Sequence, residues 1–237
     1  MARAAAGAVR RHVRRRGWLR LPPRDDPDSA VKPAPYLSVY ERLLAPLRFR
    51  RCRILELGIW GGDSLVMWRD SLPRATVVGL DLAPLPLKLG PRVHLVAGDQ
   101  GDAAVLDRIG AQYAPDGFDV IIDDAAHVGA LSARSLQALF AQHLRPGGLY
   151  IIEDWGTGYV ADWQDGAPLE HPVAAAELGA ERAGHDAGMV GLVKRLVEHV
   201  AAGSTLRAVA PDRLSEPLDI VAMEVYDGMV VLRKRGA

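Results

Sequence analysis

The sequence predicts a doubly wound α/β domain, a mostly parallel sheet with helices on both faces that finishes in an antiparallel hairpin. Three observations carry that reading. Short β-branched and apolar runs alternate with amphipathic stretches of roughly 10–15 residues, the rhythm of βαβ units. Glycine turns or acidic residues stand directly after those runs, where open parallel sheets gather their ligands. Tyr226-Asp227-Gly228 separates the last two apolar runs, and Asp-Gly in that setting is a hairpin turn.

Tyr36 to Leu47 is the first expected helix, with Tyr40, Leu43 and Leu44 at helical spacing. Ile54 to Leu57 is a buried strand that passes through Gly58 into a helix over Ser64 to Ser71. Ala75 to Leu80 is the second strand, ending at Asp81, and Val93 to Val96 the third. A helix over Ala103 to Tyr113 leads to the fourth strand, Asp119 to Ile122. Leu131 to Leu144 is the next helix, stopped by Pro146-Gly147-Gly148. Leu149 to Ile152 is the fifth strand and Met189 to Ala202 a helix, before the hairpin of Ile220–Val225 and Met229–Leu232. Trp155 to Ala187 has weak periodicity and much Gly, Ala and Asp, which predicts a loop or lid over the site.

At 237 residues the chain fits one large domain or a domain with an attached tail, and 49% hydrophobic residues suffice for a full core. No apolar run approaches the roughly 20 residues of a membrane helix. A single cysteine, Cys52, excludes an internal disulfide and points to a reducing, cytoplasmic compartment. Its place at the entrance of an apolar strand is that of a small buried hydrophobe. The zero formal charge hides an asymmetry: residues 1–24 carry Arg3, Arg10, Arg11, Arg14, Arg15, Arg16, Arg20 and Arg24 and no acidic residue. The remainder is net acidic, unlike a nucleic-acid-binding domain. Residues 1–35 are expected to be a basic, Pro-rich, disordered leader ahead of a domain over 36–237. A helix lying on anionic lipid through Val9, Val13, Trp18 and Leu19, or a transit peptide, are its other readings.

Between the first strand and its helix lies Glu56-Leu57-Gly58-Ile59-Trp60-Gly61-Gly62-Asp63-Ser64. A dinucleotide fingerprint needs glycines where Trp60 and Asp63 stand, and a tryptophan forbids the close approach of a pyrophosphate. No Gly-Lys-Ser/Thr follows, so a phosphate loop is absent as well. The Glu/Asp-x-Gly-x-x-x-Gly pattern instead resembles the first motif of the Rossmann-like S-adenosylmethionine methyltransferases. The resemblance implies that Glu56 orients the methionine ammonium, directly or through water, and that Gly58 leaves room for the cofactor. Asp81 would accept the ribose hydroxyls, and Asp99-Gln100 would reach the adenine. Ser64 and Asp123 complete the cofactor set, Asp123 pointing away from the metal towards the cofactor or a backbone amide.

Asp123-Asp124-Ala125-Ala126-His127 follows one strand, and Glu153-Asp154 follows the next. Two acidic clusters at neighbouring strand ends, one with a histidine three residues on, describe a divalent-cation site with a base beside it. From Tyr36 to about Lys234 the chain resembles the metal-dependent macrocin and mycinamicin sugar O-methyltransferases and the cephalosporin-hydroxylase-like proteins grouped with them. The segments that carry it are PYLSVYERLLAPLR, ILELGIWGGDSLVMW, VVGLDLAP, GDQGD, FDVIIDDAAH, LRPGGLYIIEDWGTGY and VAMEVYDGMVVLRK.

The resemblance implies that Asp124, Glu153 and Asp154 bind Mg²⁺ and that His127 is the base. The reaction implied is methyl transfer from S-adenosylmethionine to a sugar hydroxyl on a glycosylated natural product, as in antibiotic biosynthesis. Three carboxylates suit a hard cation that keeps positions open for oxygens of the substrate. The partner is then a sugar-containing small molecule, with no nucleic acid and no transmembrane segment; a homo-oligomer is compatible. Ala125-Ala126 replaces the family's usual Gly-Ser, and Gly158 stands where a serine commonly precedes the tyrosine matched by Tyr159. The extra amino-terminal domain of some relatives is expected to be missing. Alternative readings are methylation of a catechol or other vicinal diol, and an inactive cofactor-binding protein. The iron-binding triad of two histidines and one carboxylate, which a hydroxylase would need, is not visible.

Overall fold

A computed structural model describes residues 17–22, 32–167, 186–206 and 218–236. Most of the leader (1–16 and 23–31) and the later part of the expected lid (168–185) lie outside the described residues. Seven strands form one sheet: β1 (Cys52–Leu57), β2 (Ala75–Asp81), β3 (Val93–Ala97), β4 (Phe118–Asp123), β5 (Leu144–Glu153), β6 (Ile220–Tyr226) and β7 (Met229–Lys234). Their order is β3-β2-β1-β4-β5-β7-β6. The first five run parallel, and β7 inserts antiparallel between β5 and β6. The order reverses between β1 and β4, so the crevice for a ligand opens beyond the carboxyl ends of those two strands.

Side chains alternate across each strand, and the two faces receive different helices. Leu55, Leu57, Ile121, Tyr150 and Ile152 pack with α3 (Ala103–Tyr113), α4 (Gly129–Gln142) and α5 (Gly188–Leu206). Ile54, Val120, Ile122 and Ile151 pack with α1 (Ala34–Leu44) and α2 (Asp63–Ser71). The same parity puts Glu56 and Glu153 on the α1/α2 face and Asp123 on the α4 face. The two glutamates are therefore delivered to one side of the sheet and Asp123 to the other.

Local chemistry explains most element ends. Asp102 caps α3, its carboxylate accepting from the amides of Ala104 (2.9 Å) and Val105 (3.3 Å). Pro33 and Pro35 start α1 two residues earlier than expected, since proline is at home in the first turn of a helix. The α-helix ends at Leu44 and tightens into a 3₁₀ turn over Ala45–Leu47, where Pro46 cannot supply an amide. β5 begins at Leu144 rather than Leu149, so Pro146-Gly147-Gly148 lies within the strand. Its register against β4 shifts between Phe118 and Val120, and this irregularity absorbs the segment.

Part of the expected tail is packed on the domain. Leu19 is buried with the α1/α2 core. The Trp18 indole donates to the Glu41 carbonyl (3.1 Å), and the Arg20 amide donates to Ser71 Oγ (2.7 Å). Among the described residues no helix is long and apolar enough to cross a membrane.

Candidate active site

A cavity of about 270 Å³ opens beyond the ends of β1, β2 and β4. Gly58, Trp60, Asp81, Asp99, Gln100 and Asp124 are among its lining. Gly58 has φ 90°, and a Cβ there would run into the Asp124 carbonyl. The glycine is thus required by the close approach of the loops after β1 and β4, whatever else it does for a ligand. Asp81 Oδ2 accepts from the Ile59 amide (2.9 Å) and Oδ1 from the Ala83 amide (3.1 Å), which ties the glycine turn to the end of β2. Asp99 Oδ1 accepts from the Gly101 amide at 2.7 Å.

Three of the residues expected around the cofactor do not line this cavity. Glu56 is fully buried on the α1/α2 face, where Oε2 accepts from Ser64 Oγ (2.8 Å) and Trp68 Nε1 (3.0 Å). Its Oε1 lies 3.0 Å from the Lys32 ammonium, an ionic contact without hydrogen-bond alignment. Both carboxylate oxygens are therefore engaged inside the protein, and the Ser64 hydroxyl is spent on Glu56. Asp123 is buried on the opposite face, accepting from Gln100 Nε2 (3.0 Å), Ser135 Oγ (3.1 Å) and Tyr150 Oη (3.3 Å). Burial pushes its carboxyl above the usual range, while Ser132, Ser135 and Gln100 oppose the shift. Gln100 does reach the cavity, but its carbonyl accepts from the Ala126 amide at 2.9 Å, so it also fixes the loop after β4.

Beside the cavity the acids gather. One ligand atom each of Asp124, His127 and Asp154 lies within 4.8 Å of the others. His127 Nε2 is 3.8 Å from Asp124 Oδ1 and 3.8 Å from Asp154 Oδ2. Two carboxylates at that spacing fit a hard divalent cation, and the imidazole stands beside them. Glu153, the third expected ligand, turns to the α1/α2 face as its strand parity dictates. There Oε1 accepts from Tyr40 Oη and lies 2.9 Å from Lys32 Nζ.

Lys32 is buried, and its ammonium meets Asp124 Oδ2, Glu153 and Glu56. Burial alone would pull its pKa down; the carboxylates of Glu153, Glu56 and Asp124 outweigh that and hold it well above the ordinary lysine range. One fixed positive charge faces Glu56, Asp124 and Glu153. Burial, with Asp124 adding to it, raises Glu153 above the usual carboxylate range against the pull of Lys32.

The base candidate is held by its own backbone. His127 sits at φ 50°, and its carbonyl accepts from Thr157 Oγ1 (3.0 Å) and Trp163 Nε1 (2.9 Å). The Trp163 ring lies 6.0 Å from the imidazole. Sequence reasoning missed Lys32, Tyr36, Thr157 and Trp163. Pro33 and Pro35 gave the segment around Lys32 the look of a linker, although Pro in the first turn was an available sign of a helix start. Nothing local marks Thr157 or Trp163.

The strand order, with its antiparallel β7 between β5 and β6, is that of a class I S-adenosylmethionine methyltransferase fold. No protein-family model matches the chain. By sequence the chain is a homologue of sugar O-methyltransferases. It is 33% identical over 208 residues to the 8-demethyl-8-(2-methoxy-α-L-rhamnosyl)-tetracenomycin-C 3′-O-methyltransferase of Streptomyces olivaceus, covering 84% of this chain and 49% of that protein. It is 42% identical over 127 residues to the mycinamicin VI 2″-O-methyltransferase of Micromonospora griseorubida, covering 51% of this chain and 31% of that protein. The chain spans less than half the length of each.

The MycE methyltransferase of the mycinamycin biosynthetic pathway, solved in complex with Mg and SAH, superimposes with a TM-score of 0.66 at 32% identity. That likeness covers 85% of this chain and 49% of MycE. A ribosomal RNA methyltransferase of Plasmodium falciparum, 13% identical with a TM-score of 0.50 over 86% of this chain and 97% of its own, shares the fold alone.

Proposed function

We propose that this chain transfers a methyl group from S-adenosylmethionine to a hydroxyl of a sugar on a glycosylated natural product, with Mg²⁺ as metal. The observation that carries the reading is the gathering of Asp124, His127 and Asp154 at the rim of the cavity, with Asp124 belonging to both. The names of the homologues and the Mg and SAH held by MycE support it.

Gly58, Asp81 and Asp99 would border the cofactor, while Asp124 and Asp154, with Glu153 alongside, would hold the metal. Bound Mg²⁺ supplies Lewis acidity that lowers the pKa of an alcohol. His127 Nε2 takes the hydroxyl proton of the acceptor, a contribution of roughly 10²–10⁴-fold in rate. The bonds from Thr157 and Trp163 to its carbonyl hold the backbone that carries the ring. The single, buried Cys52 supports placing this chemistry in a reducing cytoplasm.

The test is release of S-adenosylhomocysteine by the purified chain with S-adenosylmethionine and Mg²⁺, across glycosylated polyketides and simple catechols. Turnover on glycosides that stops with chelator is the expected result. Turnover on catechols alone would move the acceptor class, and no product with any acceptor would favour a cofactor-binding protein without catalysis.

A further inference from the structure

Tyr36 and Tyr40, four residues apart on α1, share the helix face turned to the ends of β4 and β5, and Lys32 stands just ahead of the helix beside them. Each meets a proposed metal-site acid. Tyr36 Oη donates to Asp154 Oδ1 at 2.6 Å, Tyr40 Oη donates to Glu153 Oε1, and Lys32 Nζ donates to Asp124 Oδ2. The other oxygens, Asp124 Oδ1 and Asp154 Oδ2, face the His127 imidazole.

We propose that Tyr36 and Tyr40 are positioning residues of the cation site: each phenol binds one oxygen of a carboxylate and so sets how the remainder of that group is presented. The inference rests on the metal reading given above. Glu153 and Asp154 are adjacent, and neighbours in a regular strand point to opposite faces. Two features bring them together here. Asp154 leaves the strand through a left-handed backbone, φ 52°, and the two phenols one helical turn apart catch both acids from the same side. Packing alone does not require the hydroxyls. Tyr40 is fully buried against Trp68 (ring centroids 4.8 Å apart), a contact that phenylalanine would keep.

Hydrogen bonds that orient ligating carboxylates are typically worth about 10–100-fold in metal affinity. The test titrates Mn²⁺, as a spectroscopic stand-in for Mg²⁺, into the wild type, Tyr36→Phe and Tyr40→Phe, each with S-adenosylhomocysteine present, and reads binding by electron paramagnetic resonance. Weakening of Mn²⁺ binding by roughly 10–100-fold in each variant is expected. Affinity for S-adenosylhomocysteine should stay within about threefold, as calorimetry would show, because neither phenol lines the cavity. Variants that bind Mn²⁺ like the wild type would overturn the inference and leave the metal reading standing. A wild type that binds no Mn²⁺ would overturn both. If Tyr40→Phe fails to fold by circular dichroism, Tyr36→Phe decides alone.

Discussion

His127 Nε2 stands 3.8 Å from Asp154 Oδ2, and both residues hold left-handed backbones, φ 50° and 52°. A non-glycine residue in that region costs about 1–3 kcal/mol and persists only where its surroundings enforce it. The third such residue among those described is Trp60, φ 45° and 95% exposed beside the cavity. All three follow the carboxyl ends of β1, β4 and β5. Among the described residues, left-handed backbone outside glycine is thus confined to the end of the sheet where the chemistry is proposed.

Asparagine tolerates a left-handed backbone better than most residues, so His127→Asn removes the imidazole without disturbing the turn. Methyl transfer should fall roughly 10²–10⁴-fold. Affinity for S-adenosylhomocysteine, read by calorimetry, should be retained. A variant still transferring at close to the wild-type rate would remove His127 as the base.

Asp154→Asn is chosen for the same conformational reason. Loss of a direct ligand should raise the Mg²⁺ concentration for half-maximal transfer by at least the roughly 10–100-fold that loss of a supporting hydrogen bond costs. Full transfer in the presence of a chelator would show that no metal is needed.

Glu56 and Asp81 should separate structural from cofactor-bearing roles. Asp81→Asn is expected to weaken S-adenosylhomocysteine binding by about 10–100-fold, the range of a charge-assisted hydrogen bond. Glu56→Gln should leave that affinity within about threefold and instead lower the melting temperature, since its carboxylate serves Lys32, Ser64 and Trp68. A loss of about 1–3 kcal/mol corresponds to several degrees in a chain of this size. The opposite pattern, with Glu56 governing affinity, would restore it as a cofactor ligand.

Burial pushes the Cys52 thiol up to about 12, with Asp119 adding to the shift. The unfolded thiol releases its proton near pH 8.5, so above that value the unfolded state holds fewer protons than the folded one. Stability contributed by the neutral thiol is therefore fully present below about pH 8.5 and declines as pH rises towards 12. Denaturant titrations should show a shallower alkaline decline for Cys52→Ala than for the wild type. In the native protein the thiol should resist iodoacetamide at pH 8, and rapid alkylation there would contradict its burial.

Much of the fold was legible because its signals are local. β1 to β4 lie where apolar runs marked them, α3 begins and ends as expected, and the Asp227-Gly228 turn joins β6 to β7. The errors have local causes too. Pro146-Gly147-Gly148 was expected to lie outside regular structure, but the break in register between β4 and β5 lets the strand run through it. The site was legible as two acidic clusters and a histidine, and less so as assignments to individual acids. Asp123 and Asp124 are neighbours in sequence. One is locked among Gln100, Ser135 and Tyr150, and the other faces Lys32 and His127.

By itself the sequence determined which chemical groups stand at the carboxyl ends of the strands, because strand period and turn residues act over a few positions. Only the tertiary structure decided which partner each group meets. Strand parity sends Glu56 and Glu153 to the α1 side, and a lysine 20 residues ahead of β1 arrives there to balance them. Such a meeting depends on how helices pack across the sheet, and no pattern along the chain encodes it.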